Sequence, residues 1–139
     1  MKNILRSIFL LSLISITSCE DNGMIVNCQE CVLEEPVNAE IEIKLDIQDY
    51  GNTVTITVYE GNIEEGVIHS VFDSGGNRAT REFRVNKQYT FSALYTTPEG
   101  TYTVIDSALP RVSYNKDQCD DPCFYVYDKV VNLRLKYTK

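Results

Sequence analysis

From Glu40 onward, apolar and polar positions alternate with a period of two. Ile41, Ile43, Leu45 and Ile47 alternate with Glu42, Lys44 and Asp46. Val54, Ile56 and Val58 are interleaved with Thr53, Thr55, Thr57 and Tyr59. Tyr89, Phe91, Ala93 and Tyr95 alternate with Thr90, Ser92 and Leu94, and Val131, Leu133, Leu135 and Tyr137 with Asn132, Arg134 and Lys136. Each run predicts a strand with one face on a core and the other toward water. Shorter alternations predict further strands at 66–72, 81–85, 101–107 and 123–127. No segment sustains a helical period.

Turn chemistry separates the runs. Asp49-Tyr50-Gly51-Asn52 predicts a short loop, and Asp73-Ser74-Gly75-Gly76-Asn77 a bend. Asn86-Lys87 predicts a two-residue hairpin, although lysine suits the second position of a type I′ turn poorly. Pro98-Glu99-Gly100 predicts another turn, with proline presetting φ and glycine allowing a positive one.

Seven to nine short strands in about a hundred residues predict an all-β fold, a single antiparallel β-sandwich over residues 40–139. The chain has no tryptophan, so it lacks the immunoglobulin hallmark of a tryptophan between two cysteines. Gln88–Ala93 followed by Gly100–Val104 is similar to the late strands of immunoglobulin-like or transthyretin-like sandwiches. Both topologies stay open on that likeness.

The N-terminus has a different pattern. Lys2 and Arg6 precede nine apolar or small residues, Ile8–Ile16. That run is short of the roughly 20 residues a membrane-spanning helix needs and fits the core of a signal peptide. It leads into Ile16-Thr17-Ser18-Cys19, which resembles the lipobox of bacterial lipoproteins. The resemblance implies removal of residues 1–18, lipidation of Cys19 and a membrane tether through residues 19–39. The mature chain would have 121 residues, and losing Lys2 and Arg6 would move its formal charge from −7 to −9. Several acyl chains anchor firmly where one does not. Glu20 and Asp21 resemble the surface-export signal of Bacteroidetes-type lipoproteins.

A wider resemblance to small Bacteroidetes lipoproteins is carried by three stretches besides the lipobox. These are Val58-Tyr59-Glu60-Gly61, Cys119-Asp120-Asp121-Pro122-Cys123-Phe124 and Asn132-Leu133-Arg134-Leu135-Lys136. It implies a cell-envelope, outer-membrane location and a β-fold. It brings no active residues with it.

Five cysteines leave one over from any full pairing, and lipidation of Cys19 accounts for it. Cys28 and Cys31 precede the first strand, and Cys119 and Cys123 precede the last two. An exported chain favours disulfides. Pairing within each motif closes small rings. Pairing across them, for instance Cys28 with Cys123 and Cys31 with Cys119, closes loops of about ninety residues, stabilising by roughly 4–5 kcal/mol. A four-cysteine zinc site and a redox Cys-x-x-Cys are the alternatives. An oxidising compartment disfavours the first, and the lack of a following helix disfavours the second.

Composition narrows the function. An acidic chain offers no basic face for nucleic acid. The single histidine, His69, sits within an expected strand with Ser70 on the opposite face, so plain alternation predicts a solvent-facing side chain and no serine–histidine pair. Glu34-Glu35, Glu64-Glu65 and Asp120-Asp121 are adjacent loop carboxylates rather than a pair facing across a cleft. Asp117, Asp120, Asp121 and Asp128 match no defined calcium loop, and Gly75-Gly76 precedes no helix that would cradle phosphate. No cofactor is expected. Tyr59, Tyr114, Tyr125 and Tyr127 lie on or near strands and are candidates for contact with a protein or glycan. The expectation is a lipid-anchored envelope protein that binds or supports a partner without catalysis. The alternative is a small metal-dependent hydrolase using the loop carboxylates.

Overall fold

The computed structural model describes residues 25–47 and 53–135. Cys19 and the signal segment, the loop at 49–52 and the end of the last expected strand lie outside the described residues. Among the described residues nine strands form: β1 Asn38–Lys44, β2 Val54–Glu60, β3 Ile68–Ser74, β4 Arg78–Arg84, β5 Tyr89–Thr97, β6 Gly100–Ala108, β7 Arg111–Asn115, β8 Cys123–Tyr127 and β9 Val130–Asn132. They form three sheets, ordered β4-β1-β9, β3-β2-β5-β6 and β7-β8. The fold is the expected all-β sandwich. In an immunoglobulin domain the first two strands pair; here β1 and β2 lie in different sheets. One pairing departs from the antiparallel expectation: β1 and β9 run parallel, with Ile43 opposite Val131. The two strands lie at opposite ends of the chain, so no hairpin constrains their direction.

Alternation places the core. Ile41 and Ile43 of β1, Phe83 of β4 and Val131 of β9 meet Ile56 and Val58 of β2 and Tyr89, Phe91 and Ala93 of β5, all buried. Leu45 and Leu133 continue the same faces beyond the strand ends, fully covered. Phe83 packs between the rings of Tyr89 and Phe91 at 4.8 and 5.3 Å. Tyr95 reaches across from β5, and its hydroxyl donates to the Leu133 carbonyl at 2.7 Å and accepts from the Asp46 N–H at 3.2 Å. Burial pushes the Tyr95 phenol above its usual range.

Two expectations are corrected here. Asn86-Lys87 does not close a hairpin, because β4 and β5 belong to different sheets. Asn86 takes φ 58°, its N–H donates to the Pro110 carbonyl, and its side chain accepts from the Val112 N–H. The local sequence marks a turn correctly but cannot say which sheet receives the next strand. The last expected strand is also shorter, since β9 ends at Asn132. Strand β7 had no counterpart among the expected strands; Val112 and Tyr114 are its only alternating apolar positions.

Candidate binding surfaces

The lead-in to β1 is built into the fold. Asn27 caps a single turn at Cys28–Glu30, accepting the Gln29 N–H at 3.2 Å. Val32 then exchanges both backbone hydrogen bonds with Phe124, at 2.9 and 2.7 Å, adding one rung to the free edge of β8. Two disulfides lock this contact. Cys28 is bonded to Cys119 and Cys31 to Cys123, with Cα separations of 5.7 and 5.5 Å, well within disulfide reach. The bonds run across the two motifs, as expected, but with the partners exchanged relative to Cys28–Cys123 and Cys31–Cys119. The Val32–Phe124 rung sets Cys31 beside Cys123 and leaves Cys28 for Cys119. Among the described residues, the Sγ atoms of Cys31, Cys119 and Cys123 form the one cluster with metal-ligand spacing. With all four thiols in disulfides, no thiolate remains to hold zinc.

A cleft of about 710 Å³ lies between the outward face of β1 and β4 and the β8 edge with its lead-in. Val32, Pro36, Phe124, Val126 and Val130 form its apolar wall, and Tyr125 also lines it. Its charges are largely matched. Lys129 pairs with Glu30 and, through that contact first, holds the Glu30 carboxyl below the usual range. Arg78 Nη1 lies 3.0 Å from Glu42 Oε1. Glu40 and Glu42 on the cleft were not singled out in the sequence, because alternation marks them only as solvent-facing. The carboxylate pairs that were singled out do not line this cleft. They lie exposed in three separate connections: the lead-in, the turn after β2 and the β7–β8 loop. Nor does the structure gather Asp117, Asp120, Asp121 and Asp128 into a cluster.

His69 is solvent-facing, as expected, but sits at a break in the alternation. The β2–β3 register shifts between Val58, opposite Ser70, and Tyr59, opposite Ile68, so His69 is an extra residue in a bulge. Its ring packs on Phe83 and Tyr89 at 5.5 and 5.3 Å while one flank stays open to solvent. Its Nδ1 lies 3.3 Å from Glu60 Oε1, and Lys87 donates to the other Glu60 oxygen at 2.7 Å. The Lys87 hydrogen bond, with a smaller contribution from His69, holds the Glu60 carboxyl below its usual range. The His69 ring nitrogen is directed to Glu60, and no hydrogen bond joins it to Ser70, so no nucleophile–base pair forms among the described residues.

The two outer faces of the sandwich differ sharply in chemistry. The outward positions of β1 and β4 include Glu40, Glu42, Lys44, Arg78, Glu82 and Arg84. The opposite face, on β3-β2-β5-β6, is nearly uncharged. Register rows place Val71, Thr57, Ser92 and Ile105 side by side, then Ile68, Tyr59, Thr90 and Ser107, then Asp73, Thr55, Leu94 and Thr103. Asp73 is the only ionisable carboxylate in those rows, and it accepts the Thr55 hydroxyl at 2.7 Å. Ile68, Val71, Leu94 and Ile105 are each about half exposed. Of the four tyrosines expected to be available for contact, Tyr59 is on this face, Tyr125 lines the cleft, and Tyr114 packs on Phe124 at 4.8 Å. Tyr127 lies 6.2 Å from Tyr125.

No family model, curated protein or solved structure matches the chain.

Proposed function

We propose that this chain is a lipid-anchored protein of the cell envelope, at the outer membrane. It docks a partner protein on the uncharged face of its four-stranded sheet and carries out no chemistry. The single observation behind this reading is that face. On a chain in which 24% of residues are charged, it joins half-exposed aliphatic side chains to a field of threonines and serines. Flat hydroxyl and aliphatic surface matches another protein's surface. A glycan would favour several exposed aromatic platforms, and this face has only Tyr59.

The anchor and the face fit together. Five residues lie between Cys19 and Ile25, a reach of at most about 20 Å over the six peptide steps. The lipid therefore holds the β7–β8 side of the molecule near the membrane. The disulfides pass any pull on the tether directly into β8 and the loop before it. The uncharged face belongs to the other sheet and stays accessible. The three exposed carboxylate pairs, one per connection, give hydrolysis no shared cleft.

Binding of soluble residues 24–139 to isolated envelopes tests this reading. Saturable binding is expected, abolished by Thr57→Lys with Ser92→Lys, unaffected by Glu40→Lys, and lost when the envelopes are treated with protease. Equal binding by the two variants would overturn the assignment to this face. Binding lost to periodate and kept after protease would make the ligand a glycan.

A further inference from the structure

Among the described residues, β9 lies against β6 and meets it at Asp106, while the backbone of the outer edge at Thr101, Thr103 and Ile105 bonds to no other strand. The sheet order ends on β6. The two-residue turn at Pro98-Glu99 pairs Thr97 with Gly100, so alternate residues from Gly100 to Ala108 bond inward to β5. The N–H and C=O groups of Thr101, Thr103 and Ile105 therefore point outward. Among the described residues they have no backbone partner.

Exposed edges are usually blunted by lysine, proline, bulges, charge or a covering segment. Three other edges of this protein show such devices. On the far side of the same sheet, β3 carries the His69 bulge. The edge strand β4 carries Arg78, Arg81, Glu82 and Arg84. The free side of β8 is capped by Val32. Strand β6 runs for six residues, Gly100–Ile105, without a charge or a proline, and unlike the equally uncharged β8 it has no backbone rung on its free side among the described residues. Asp106 is the first charge, and its carboxylate is turned onto β9, accepting the Asn132 N–H at 2.7 Å.

We propose that two copies of this chain pair antiparallel through their β6 edges, about a two-fold axis at Thr103. A second copy is the occupant the chemistry selects. Each chain is strongly acidic, and this edge lets two copies meet without opposed carboxylates. With Thr103 opposite its own counterpart, Thr101 faces Ile105, Gly100 faces Asp106 and Glu99 faces Ser107. No like charges stand opposite each other. The outward backbone groups fall in hydrogen-bonding register, because Thr101, Thr103 and Ile105 all face the new partner. The product is an eight-stranded sheet whose uncharged face is doubled in width and continuous. The contact is isologous and closed, so it stops at the dimer.

Sedimentation of the full chain bearing Cys19→Ser, which removes the lipid site, tests the pairing. A dimer is expected. Thr103→Pro is expected to convert it to monomer without moving the melting temperature, because proline is tolerated at an edge position whose N–H faces outward. Thr103→Cys is expected to form a disulfide-linked dimer, since hydrogen-bonded partners sit about 5.5 Å apart; Thr101→Cys is not. A monomeric Cys19→Ser chain, or a dimer that survives the further change Thr103→Pro, would overturn the proposal. Either result would leave the envelope-binding reading to its own test.

Discussion

The hydroxyl of Tyr95 donates to the carbonyl of Leu133 at 2.7 Å in the buried interior. Tyr95 belongs to the four-stranded sheet and Leu133 follows the last strand of the three-stranded one, so this bond ties the sheets together directly. The same oxygen accepts the Asp46 N–H beyond β1. One side chain therefore satisfies two backbone groups left over where β1 and β9 end.

Tyr95→Phe keeps the ring and removes both bonds. It is expected to destabilise the fold by about 1–3 kcal/mol, the cost of leaving buried polar groups unpaired. Denaturant unfolding measures it.

The raised phenol pKa also sets a direction in pH. Because the folded state holds the proton more tightly than the unfolded chain, this contribution is intact below about pH 10 and is lost as pH rises through the folded-state value. The wild-type chain should lose stability above that point more steeply than Tyr95→Phe. Parallel melting curves of the two proteins from pH 8 to 11 would refute this.

The two disulfides should not contribute additively. Either one alone closes the long loop of 91 or 92 residues. The second then closes only a small ring between neighbouring cysteines. Chain entropy assigns about 2–3 kcal/mol to losing either bond and about 7 kcal/mol to losing both. Unfolding of Cys28→Ala with Cys119→Ala, of Cys31→Ala with Cys123→Ala, and of the fourfold variant measures the difference. A fourfold loss no larger than the sum of the two would contradict it.

Glu60 accepts from both Lys87 and His69. Its carboxyl should titrate below the usual glutamate range, and Lys87→Met should return most of the shift. A folded-state pKa below the unfolded one favours folding above the unfolded value and loses that contribution as pH falls through the folded one. Carbon-detected NMR titration reads the Glu60 carboxyl. A midpoint left unchanged by Lys87→Met would show that the Lys87 contact does not persist in solution.

Period-two alternation made the strands legible, and the buried residues at Ile41, Ile43, Val54, Ile56, Val58, Tyr89, Phe91 and Ala93 follow it directly. It worked because each sheet has one wet face, which forces alternate positions to differ. Alternation was silent on pairing. The parallel contact of Ile43 with Val131 and the passage from β4 to the other sheet at Asn86 depend on distant partners that no local pattern encodes. His69 is solvent-facing as alternation implies, but the bulge that seats it in the strand is not encoded by the period. The joining of the two cysteine motifs was legible from the loop length each pairing would close. Their exact partners depended on one backbone rung, Val32 with Phe124, in a lead-in that has no periodicity. The uncharged face could be read only after register placed Thr57, Ser92, Ile105 and Val71 in a single row.

The most direct test of an anchored envelope protein is the intact mass of the chain extracted from membranes. The predicted species begins at Cys19, carries acyl chains on that residue, and is four hydrogens lighter than the fully reduced form because of the two disulfides. A chain that retains residues 1–18, or one that begins elsewhere with an unmodified Cys19, would contradict the account.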